Sequence, residues 1–414
     1  MKTEKVDVAV IGGGPAGLAA ASSAKNSGAE NVVLIERGEV LGGILNQCIH
    51  DGFGTKIFGE ALTGPEYAQI YIDKLEDAGV ETLMETMVLD LTPDRELTIC
   101  SEGGIRKLEA SSVVLAMGCR ERTRGAIRIP GTRPAGVFTA GVVQDYMNMR
   151  NILVGRKAVI LGSGDIGLIM ARRLSLEGVK VECVAEILPY PSGIARNIVQ
   201  CLDDFDIPLY LSTTVVDIHG TDHVEGITLA SVGPRGGIVP GSKRFVECDT
   251  LLLSVGLIAE NELSRKAGVE MNPVTGGPIV DDQFQTSIPG FFCGGNCLQV
   301  HDLVDYASLE SEKAGASATA YANEGRLPEQ PITVQPGEGV RYVVPNTLSG
   351  AEAVDFSLRV GKPDEDKYVV FKRGDQVVRR MRQLSMEPSA MIRIRVRADR
   401  FNKGAGPLTV EVAD

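Results

Sequence analysis

The 414-residue sequence predicts an α/β fold with two similar β–turn–α–β domains, followed by a small carboxyl-terminal antiparallel β domain. Residues 6–36 and 157–186 share one pattern: an apolar strand, a Gly-x-Gly-x-x-Gly turn, a helix and a second strand that ends at a glutamate. The two patterns begin about 150 residues apart, which is the size of a typical domain. After residue 327 the pattern changes to prolines and then to alternating apolar and polar residues, which is typical of strands.

Composition and charge exclude several classes of protein. The net charge of −12 argues against nucleic-acid binding, which requires a basic surface. The apolar run at the amino terminus is too short for a signal peptide, and we find no apolar stretch of about 20 residues that would predict a membrane span. The eight cysteines are scattered and form no CxxC pair, which favours a reducing compartment. We therefore expect a cytoplasmic protein.

The first glycine-rich turn has the features of a dinucleotide site. Gly12 permits a tight turn, Gly14 lets a pyrophosphate approach the backbone, and Gly17 allows close packing of helix and strand. The following helix begins with unpaired N–H groups that favour phosphate. Glu36 ends the second strand, where a carboxylate accepts hydrogen bonds from ribose hydroxyls.

The second turn repeats these features with Gly162, Gly164, Gly167 and Glu186. Glu186 favours an unphosphorylated ribose, and the ILPYP segment after it offers no arginine for a 2′-phosphate. This pattern predicts NADH rather than NADPH. Two nucleotide domains in one chain indicate two redox cofactors.

Four segments together resemble the FAD- and NAD(P)-linked pyridine-nucleotide oxidoreductases, the glutathione- and thioredoxin-reductase-like class. They are VDVAVIGGGPAGLAAA (6–21), VVLAMGCRER (113–122), LLLSVGL (251–257) and IPGFFCGGNC (288–297). The resemblance covers residues 6 to about 325 and implies that the first unit binds FAD and the second, inserted into the first, binds the nicotinamide cofactor. It implies an FAD-binding domain of residues 1–125 and 284–328, an NAD-binding domain of residues 126–283 and a small β domain of residues 329–414.

The resemblance also implies the residues of both cofactor sites. Asn296 stands where the family usually has aspartate, which removes a charge from the segment that closes around FAD. The expected FAD residues are Gly12, Gly14, Pro15, Ala16, Gly17, Glu36, Arg37, Gly43, Gln47, Val88, Ala116, Gly118, Gly294, Gly295 and Asn296. The expected NAD residues are Gly162, Gly164, Asp165, Ile166, Gly167, Glu186 and Gly256.

Cys48 and His301 are the candidate catalytic residues. The segment LGGILNQCIHDGFG (41–54) holds one cysteine where disulfide reductases of this class carry two, which disfavours a dithiol mechanism. Cys48 either packs against the flavin or acts as a single redox thiol, which His50 could favour. His301 precedes a helix predicted from about Leu303, with Asp302 as a candidate cap, and it either lines the flavin or is hydrogen-bonded in a turn. Zinc needs four ligands, and Cys293, Cys297 and His301 supply at most three, so we expect no metal.

One branch of the family is more similar than the disulfide reductases. GGILNQCIHDGFG (42–54), LTGPEYAQIY (62–71) and residues 118–147 resemble the flavoprotein subunits that accompany anaerobic-type glycerol-3-phosphate dehydrogenases, hydrogen cyanide synthase and opine dehydrogenase. This resemblance implies an oligomer or heteromeric complex with a partner dehydrogenase or electron-transfer subunit. Two alternatives stay open: a self-contained NADH oxidase or peroxidase that uses Cys48, and a non-catalytic NADH sensor.

The carboxyl-terminal segment predicts a hairpin with Gly374–Asp375 at its turn. A later strand alternates Ile392, Ile394 and Val396 with Arg393, Arg395 and Arg397. This arginine face is either a solvated sheet surface or a docking face for an acidic partner.

Overall fold

The structure is a computed structural model that describes residues 3–414, and internal contacts divide it into two compact units. The first unit contains the chain up to Cys119 and from Ala259 onwards, and the second contains Arg120–Ile258. Residues 259–283, which the sequence placed in the NAD-binding domain, belong here to the first unit. Which cofactor each unit binds stays a prediction.

The amino-terminal part of the first unit contains a mainly parallel sheet and two helices. Its strands are β1 (Thr3–Ile11), β2 (Val32–Ile35), β3 (Asp51–Phe53), β4 (Leu62–Thr63), β5 (Glu81–Leu83), β6 (Met87–Leu91), β7 (Glu96–Ser101) and β8 (Gly104–Leu115). This part of the unit ends at Cys119, which is the first residue of β9 (Cys119–Glu121). Its helices are α1 (Pro15–Asn26) and α2 (Gly64–Asp77). The predicted strand–turn–helix–strand unit of residues 6–36 is therefore confirmed.

The second unit contains a five-stranded parallel sheet in the order β10-β17-β11-β12-β13 and a three-stranded antiparallel sheet, β14-β15-β16. The strands are β10 (Val137–Thr139), β11 (Lys157–Leu161), β12 (Lys180–Ala185), β13 (Leu209–Tyr210), β14 (Thr213–His219), β15 (Gly226–Ser231), β16 (Arg244–Val246), β17 (Thr250–Leu253) and β18 (Leu257–Ala259). The helices are α3 (Arg124–Ile127), α4 (Ala140–Met149), α5 (Asp165–Leu176) and α6 (Ala195–Cys201). The second β–turn–α–β pattern is also confirmed.

The remaining residues return to the first unit. The helices are α7 (Glu262–Lys266) and α8 (Val304–Glu324). The strands are β19 (Phe291–Cys293), β20 (Ile332–Pro336), β21 (Val340–Val344), β22 (Thr347–Leu348), β23 (Val354–Val360), β24 (Asp364–Arg373), β25 (Gln376–Met386), β26 (Ile392–Val396) and β27 (Leu408–Ala413). β19 pairs with β8, so the main sheet has the order β5-β2-β1-β8-β7-β6 with β19 also attached to β8.

The strands of the main sheet are apolar because both faces of the sheet are covered. β1, β2, β5, β8 and β19 run parallel, and all four residues of β2 are buried, as expected for a parallel strand covered on both faces. Helices α1 and α8 pack closely on each other. A Cβ on Gly315 would lie only 2.1 Å from the carbonyl oxygen of Ala20, so this glycine is required by the close approach of the two helices.

The carboxyl-terminal strands form two sheets, β22-β20-β27-β24-β25 and β21-β23-β26, around a separate apolar cluster. The predicted hairpin is confirmed, because β24 and β25 pair antiparallel around residues 374–375. The predicted antiparallel arrangement holds for the other pairs of these strands, but β20 and β27 run parallel. These strands lie in the same compact unit as the main sheet, and Tyr342 and Val344 of β21 are buried in the core of that sheet.

The arginine face of β26 is largely paired within the chain. Ile392, Ile394 and Val396 are buried, as predicted. Two of the arginines have carboxylate partners, Asp355 at 3.3 Å for Arg395 and Asp399 at 3.1 Å for Arg397. The guanidinium of Arg393 lies 4.4 Å from the ring centroid of Tyr306. These contacts reduce the charge available for an acidic partner.

Candidate functional site

The first glycine-rich turn combines close packing with open space. Gly12 has a φ of +111°, and a Cβ there would lie 2.4 Å from the carbonyl oxygen of Ala116. A Cβ on Gly17 would lie 1.7 Å from the carbonyl oxygen of Gly12. A Cβ on Gly14, by contrast, would meet no atom within 4 Å. Helix α1 begins after Gly14 without a side-chain cap or an acidic residue in its first turn, so its positive end faces this open space.

Glu36 holds the turn from the end of β2. One of its carboxylate oxygens accepts a 2.6 Å hydrogen bond from the N–H of Gly13, and the other accepts a 2.6 Å bond from the N–H of Gly38. Both bonds are charge-assisted and short. The partly exposed carboxylate therefore lies beside the glycine-rich turn, as the sequence predicted.

The other predicted residues of this part of the chain lie at different distances from the turn. Gly43 contacts it, because a Cβ on Gly43 would lie 3.0 Å from the Cα of Gly14. Gly43 begins and Gln47 ends a 3-10 turn (Gly43–Gln47). Arg37 is exposed. Val88 is buried in β6, which β7 and β8 separate from β1 within the sheet.

The ends of β8 and β19 bring two further predicted segments to the same edge of the sheet. Ala116 directly follows β8, and the N–H of Gly294, directly after β19, donates to the carbonyl of the last residue of β8. Gly295 has a φ of +73°, and a Cβ there would lie 2.6 Å from the Cβ of Ala16 in helix α1. Gly118 has a φ of +71° with open space beside it. The predicted FAD residues after β1, β8 and β19 therefore converge.

Cys48 lies just after the 3-10 turn and is buried. Its thiol donates to the carbonyl of Ile44 at 3.3 Å. The neighbouring His50 places Nδ1 3.1 Å from the carbonyl oxygen of Asp51, and its ring lies against Phe53 with a centroid distance of 5.0 Å. A redox role for Cys48 stays a prediction.

His301 belongs to a buried polar cluster before helix α8. Its side chain is only 2% exposed, and Nε2 lies 3.3 Å from a carboxylate oxygen of Glu310. Its backbone N–H donates to the side-chain oxygen of Asn296 at 3.0 Å. Glu310 also accepts hydrogen bonds from Gly295 and Gln299. Glu310 was not predicted from the sequence, because Glu312 and Lys313 follow it closely and nothing in the local pattern sets it apart from them.

Asp302 is not the helix cap that the sequence predicted. Leu303 occupies the cap position of α8, without a side-chain hydrogen bond to the helix. The Asp302 carboxylate instead pairs with the guanidinium of Arg359 on β23 and accepts from the backbone N–H of Met391. The same guanidinium donates to the carbonyl of Val300 at 3.0 Å. A charged partner from a distant part of the chain therefore outcompetes the local cap.

Cys293 and Cys297 lie in the core at the end of β19. Their sulfur atoms are 3.5 Å apart, and the Cys297 thiol donates to the carbonyl of Leu115 at 3.1 Å. Burial raises the pKa of the Cys293 thiol well above its ordinary value. Within residues 3–414 we find no group of three or more His, Cys, Asp or Glu residues placed to hold a metal ion.

In the second unit, the glycine-rich turn packs against Ser254, which follows β17. A Cβ on Gly162 would lie 2.0 Å from the carbonyl oxygen of Ser254, and one on Gly167 would lie 2.7 Å from its Cβ. Gly164 is less crowded, with a nearest distance of 3.5 Å to the Ser254 hydroxyl. The pattern of two crowded glycines and one more open glycine thus recurs.

Other predicted residues of the second unit surround this turn. Asp165, in the first turn of α5, accepts hydrogen bonds from the N–H of Ile194 at 2.9 Å and from the side-chain amide of Asn197 at 2.7 Å. Ile166 is partly buried. Gly256 has a φ of +96°. Asp165 therefore connects helix α5 to the segment that begins helix α6.

Glu186 is only 3% exposed and fully engaged by donors of the second unit. One carboxylate oxygen accepts from the N–H of Ser163 at 3.0 Å, from its hydroxyl at 2.6 Å and from the hydroxyl of Ser192 at 2.8 Å. The other oxygen accepts from the N–H of Leu188 at 3.0 Å. Neither serine was predicted from the sequence, because Ser163 occupies a variable position of the glycine motif and Ser192 lies outside it.

Comparison with known proteins identifies the family. The sequence pattern of the pyridine nucleotide-disulphide oxidoreductases matches residues 6–311, which is most of the chain. The chain belongs to this family. It is an FAD-dependent NAD(P)H oxidoreductase, and its cofactors are FAD and NAD(P)H.

Two relatives and one solved structure illustrate the range of this oxidoreductase's similarities. The ferredoxin reductase component of a chlorobenzene dioxygenase from Cupriavidus sp. (strain PS12) is 26% identical over 86% of this chain and 87% of its own length. An opine oxidase subunit from Agrobacterium tumefaciens (strain Ach5) is 24% identical over 70% of this chain, which spans only 61% of that relative. The crystal structure of T. acidophilum thioredoxin reductase covers 78% of this chain and all of its own, with 20% identity and a TM-score of 0.64. That structural likeness concerns the fold.

The local geometry of this pyridine nucleotide-disulphide oxidoreductase fits the predicted FAD site. The open space at Gly14 lies at the uncapped end of α1, where a pyrophosphate can approach unpaired N–H groups. Glu36, Gly43 and Gly295 line the same turn. A search of residues 3–414 for a helix both long and apolar enough to cross a membrane finds none.

Proposed function

We propose that this oxidoreductase transfers a hydride between NAD(H), held by the second unit, and FAD, held by the first, and exchanges the electrons with a partner protein. When bound, FAD supplies a ring that accepts or releases two electrons in the form of a hydride. In this proposal Gly12, Gly14, Gly17 and Glu36 hold its dinucleotide portion, and the Gly294–Asn296 segment closes the site. Support comes from the convergence of these segments beside the uncapped end of α1.

The proposed electron transfer to a partner depends on the observation that Cys48 is the single cysteine of its segment. Disulfide reductases need two cysteines, and the segment after Gly42–Gly43 has only this one. Its thiol is buried and donates to the carbonyl of Ile44. A dithiol mechanism needs a second thiol, which this segment does not supply. We therefore infer that the electrons leave through a partner and not through Cys48.

Glu186 supports NADH as the nicotinamide cofactor. Its carboxylate lies at the end of β12, where the 2′-phosphate of NADPH would meet a negative charge. Four hydrogen bonds fix this carboxylate in place. We infer that the NADH preference follows from charge repulsion at this position.

The partner in this proposal is a protein that oxidises a small metabolite such as glycerol 3-phosphate. The relatives described as a reductase component and as an oxidase subunit support a partner in general. We further propose a cytoplasmic location, which the eight free cysteines support. Purified chain mixed with its partner should show NAD-coupled metabolite oxidation that neither shows alone, and no gain on mixing would contradict the proposed partner.

An anaerobic titration with NADH tests the hydride transfer itself. The yellow absorbance should bleach completely without a long-wavelength band, and multiple turnover with an artificial acceptor such as ferricyanide would exclude a non-catalytic sensor. A long-wavelength band that disappeared in Cys48→Ser would instead identify Cys48 as a redox centre and support an NADH oxidase or peroxidase. A flavin that NADH did not reduce would contradict the proposed function.

A further inference from the structure

A buried carboxylate on helix α8 faces the Gly294–Asn296 segment. Glu310 is 5% exposed, and none of the motifs that indicate the cofactor sites includes it. Glutamate is rarely buried without partners, because burial of a charge in a medium of low dielectric constant is unfavourable. Its partners therefore indicate what the carboxylate does.

The Glu310 carboxylate contacts residues between positions 295 and 301. One oxygen accepts from the backbone N–H of Gly295 at 2.9 Å. The other accepts from the side-chain amide of Gln299 at 2.8 Å and lies 3.3 Å from Nε2 of His301, an ion-pair distance without an aligned hydrogen bond. One side chain thus fixes both ends of the segment that directly follows β19.

The opposite side of His301 fixes the orientation of Asn296. The backbone N–H of His301 donates to the side-chain oxygen of Asn296 at 3.0 Å, and its ring Nδ1 lies 3.4 Å from the same oxygen. Because a backbone N–H can only donate, the oxygen of the amide must face His301 and the nitrogen must face away. Asn296 is also the one residue of 291–299 that is not fully buried.

We propose that Glu310 is a positioning residue for FAD, an inference that rests on the proposed function. Through Gly295 and His301 it holds the closing segment in shape and orients Asn296, whose amide nitrogen donates one hydrogen to the Cys119 sulfur at 3.7 Å and keeps the second for bound FAD. The carboxylate is required, because an amide at this position would place an N–H group against one of the N–H donors of Gly295 or Gln299.

The test compares Glu310→Gln with Glu312→Gln on the full-length protein. Glu312 is a matched control because it lies on the same helix and accepts a side-chain hydrogen bond at 3.0 Å, from Tyr71. The dissociation constant of FAD is measured by titrating the apoprotein and following flavin fluorescence. We expect Glu310→Gln to weaken FAD binding about tenfold, the loss expected for one buried hydrogen-bond partner, and Glu312→Gln to stay within about twofold of wild type.

The reduction potential of bound flavin separates positioning from a general effect on folding. Removing a buried negative charge near the flavin favours the reduced, electron-rich state, so the potential should become more positive in Glu310→Gln and stay unchanged in Glu312→Gln. If Glu310→Gln does not fold, His301→Leu carries the same binding test, because it removes the ring that contacts both Glu310 and Asn296 and leaves only the backbone N–H bond to Asn296.

The outcomes separate this inference from the proposed function. Unchanged FAD binding in Glu310→Gln, or weaker binding with an unchanged potential, would overturn the positioning role and leave the proposed function intact. A wild-type chain that bound no FAD would overturn both. Weaker binding with a more positive potential, in Glu310→Gln alone, supports the inference.

Discussion

Replacement of Asp281 by asparagine should stabilise the protein at alkaline pH. The Asp281 side chain is only 6% exposed, and one of its oxygens accepts from the N–H groups of Gln283 at 2.8 Å and Gln285 at 2.9 Å. Asparagine keeps that acceptor oxygen and its approximate shape but cannot ionise. The substitution therefore removes a buried charge and leaves both turn hydrogen bonds in place.

The magnitude follows from the pKa of Asp281, which burial raises from the ordinary 3.8 to about 6. At 1.36 kcal/mol per pH unit, this difference corresponds to about 3 kcal/mol. The unfolded carboxyl loses its proton at a lower pH than the folded one, so between about pH 4 and 6 the unfolded state binds fewer protons. The free energy of unfolding therefore falls as the pH rises through this window.

Urea unfolding of wild type and Asp281→Asn, followed by circular dichroism at about pH 4, 6 and 8, measures this effect. We expect the variant to be more stable by about 1–3 kcal/mol at the highest pH and to match wild type at the lowest. Asp94→Asn, which changes an exposed carboxyl, is the control and should leave the pH profile unchanged. A variant no more stable than wild type at pH 8 would refute the reasoning.

Three further predictions concern the cofactor sites. Gly14→Ala should weaken FAD binding at least about tenfold, because the new Cβ would occupy the space where the pyrophosphate approaches. The apoprotein of this variant should keep its melting temperature, because the Cβ meets no protein atom within 4 Å. Gly17→Ala should instead lower the melting temperature, because the Cβ added at this position would lie 1.7 Å from a carbonyl oxygen. Equal FAD affinity in Gly14→Ala and wild type would argue against this turn as the FAD site. Glu186→Gln should reduce the preference for NADH over NADPH in kcat/KM by about tenfold, since it removes a charge that repels a 2′-phosphate, and an unchanged ratio would contradict that assignment. Cys48→Ser should leave the rate of flavin reduction by NADH within about twofold of wild type in stopped-flow absorbance, and a large loss would favour a redox thiol.

Local pattern was sufficient to predict the two glycine-rich turns. Gly12 and Gly162 have positive φ angles and pack against a carbonyl oxygen, requirements that exclude other residues and so leave a signal in the sequence. Each turn also occurs between a strand and a helix whose periodicity is evident without structural information. The fold class and the place of the glutamates at the strand ends follow from the same short segments.

Contacts between distant segments were not predictable in this way. Asp302 is a good helix cap by residue type, but Arg359 lies 57 positions away and its guanidinium takes the carboxylate instead. Glu310 has no distinguishing neighbours in sequence, because its role depends on the turn after β19 folding back onto α8. Similarly, nothing in the local pattern of β20 indicates that its partner is the final strand, β27, or that the pair is parallel.

Arg359 contacts the carboxylate of Asp302 and the carbonyl of Val300. These contacts limit which replacements of the carboxyl-terminal strands the chain could tolerate. If the last strands were lost or exchanged for another module, an acidic side chain and a carbonyl just ahead of α8 would lose their cation. Any replacement would have to supply a new one at the same place. We therefore expect the carboxyl-terminal strands to be inherited together with the segment they neutralise, and an arginine on β23 and an aspartate before α8 to be gained or lost as a pair.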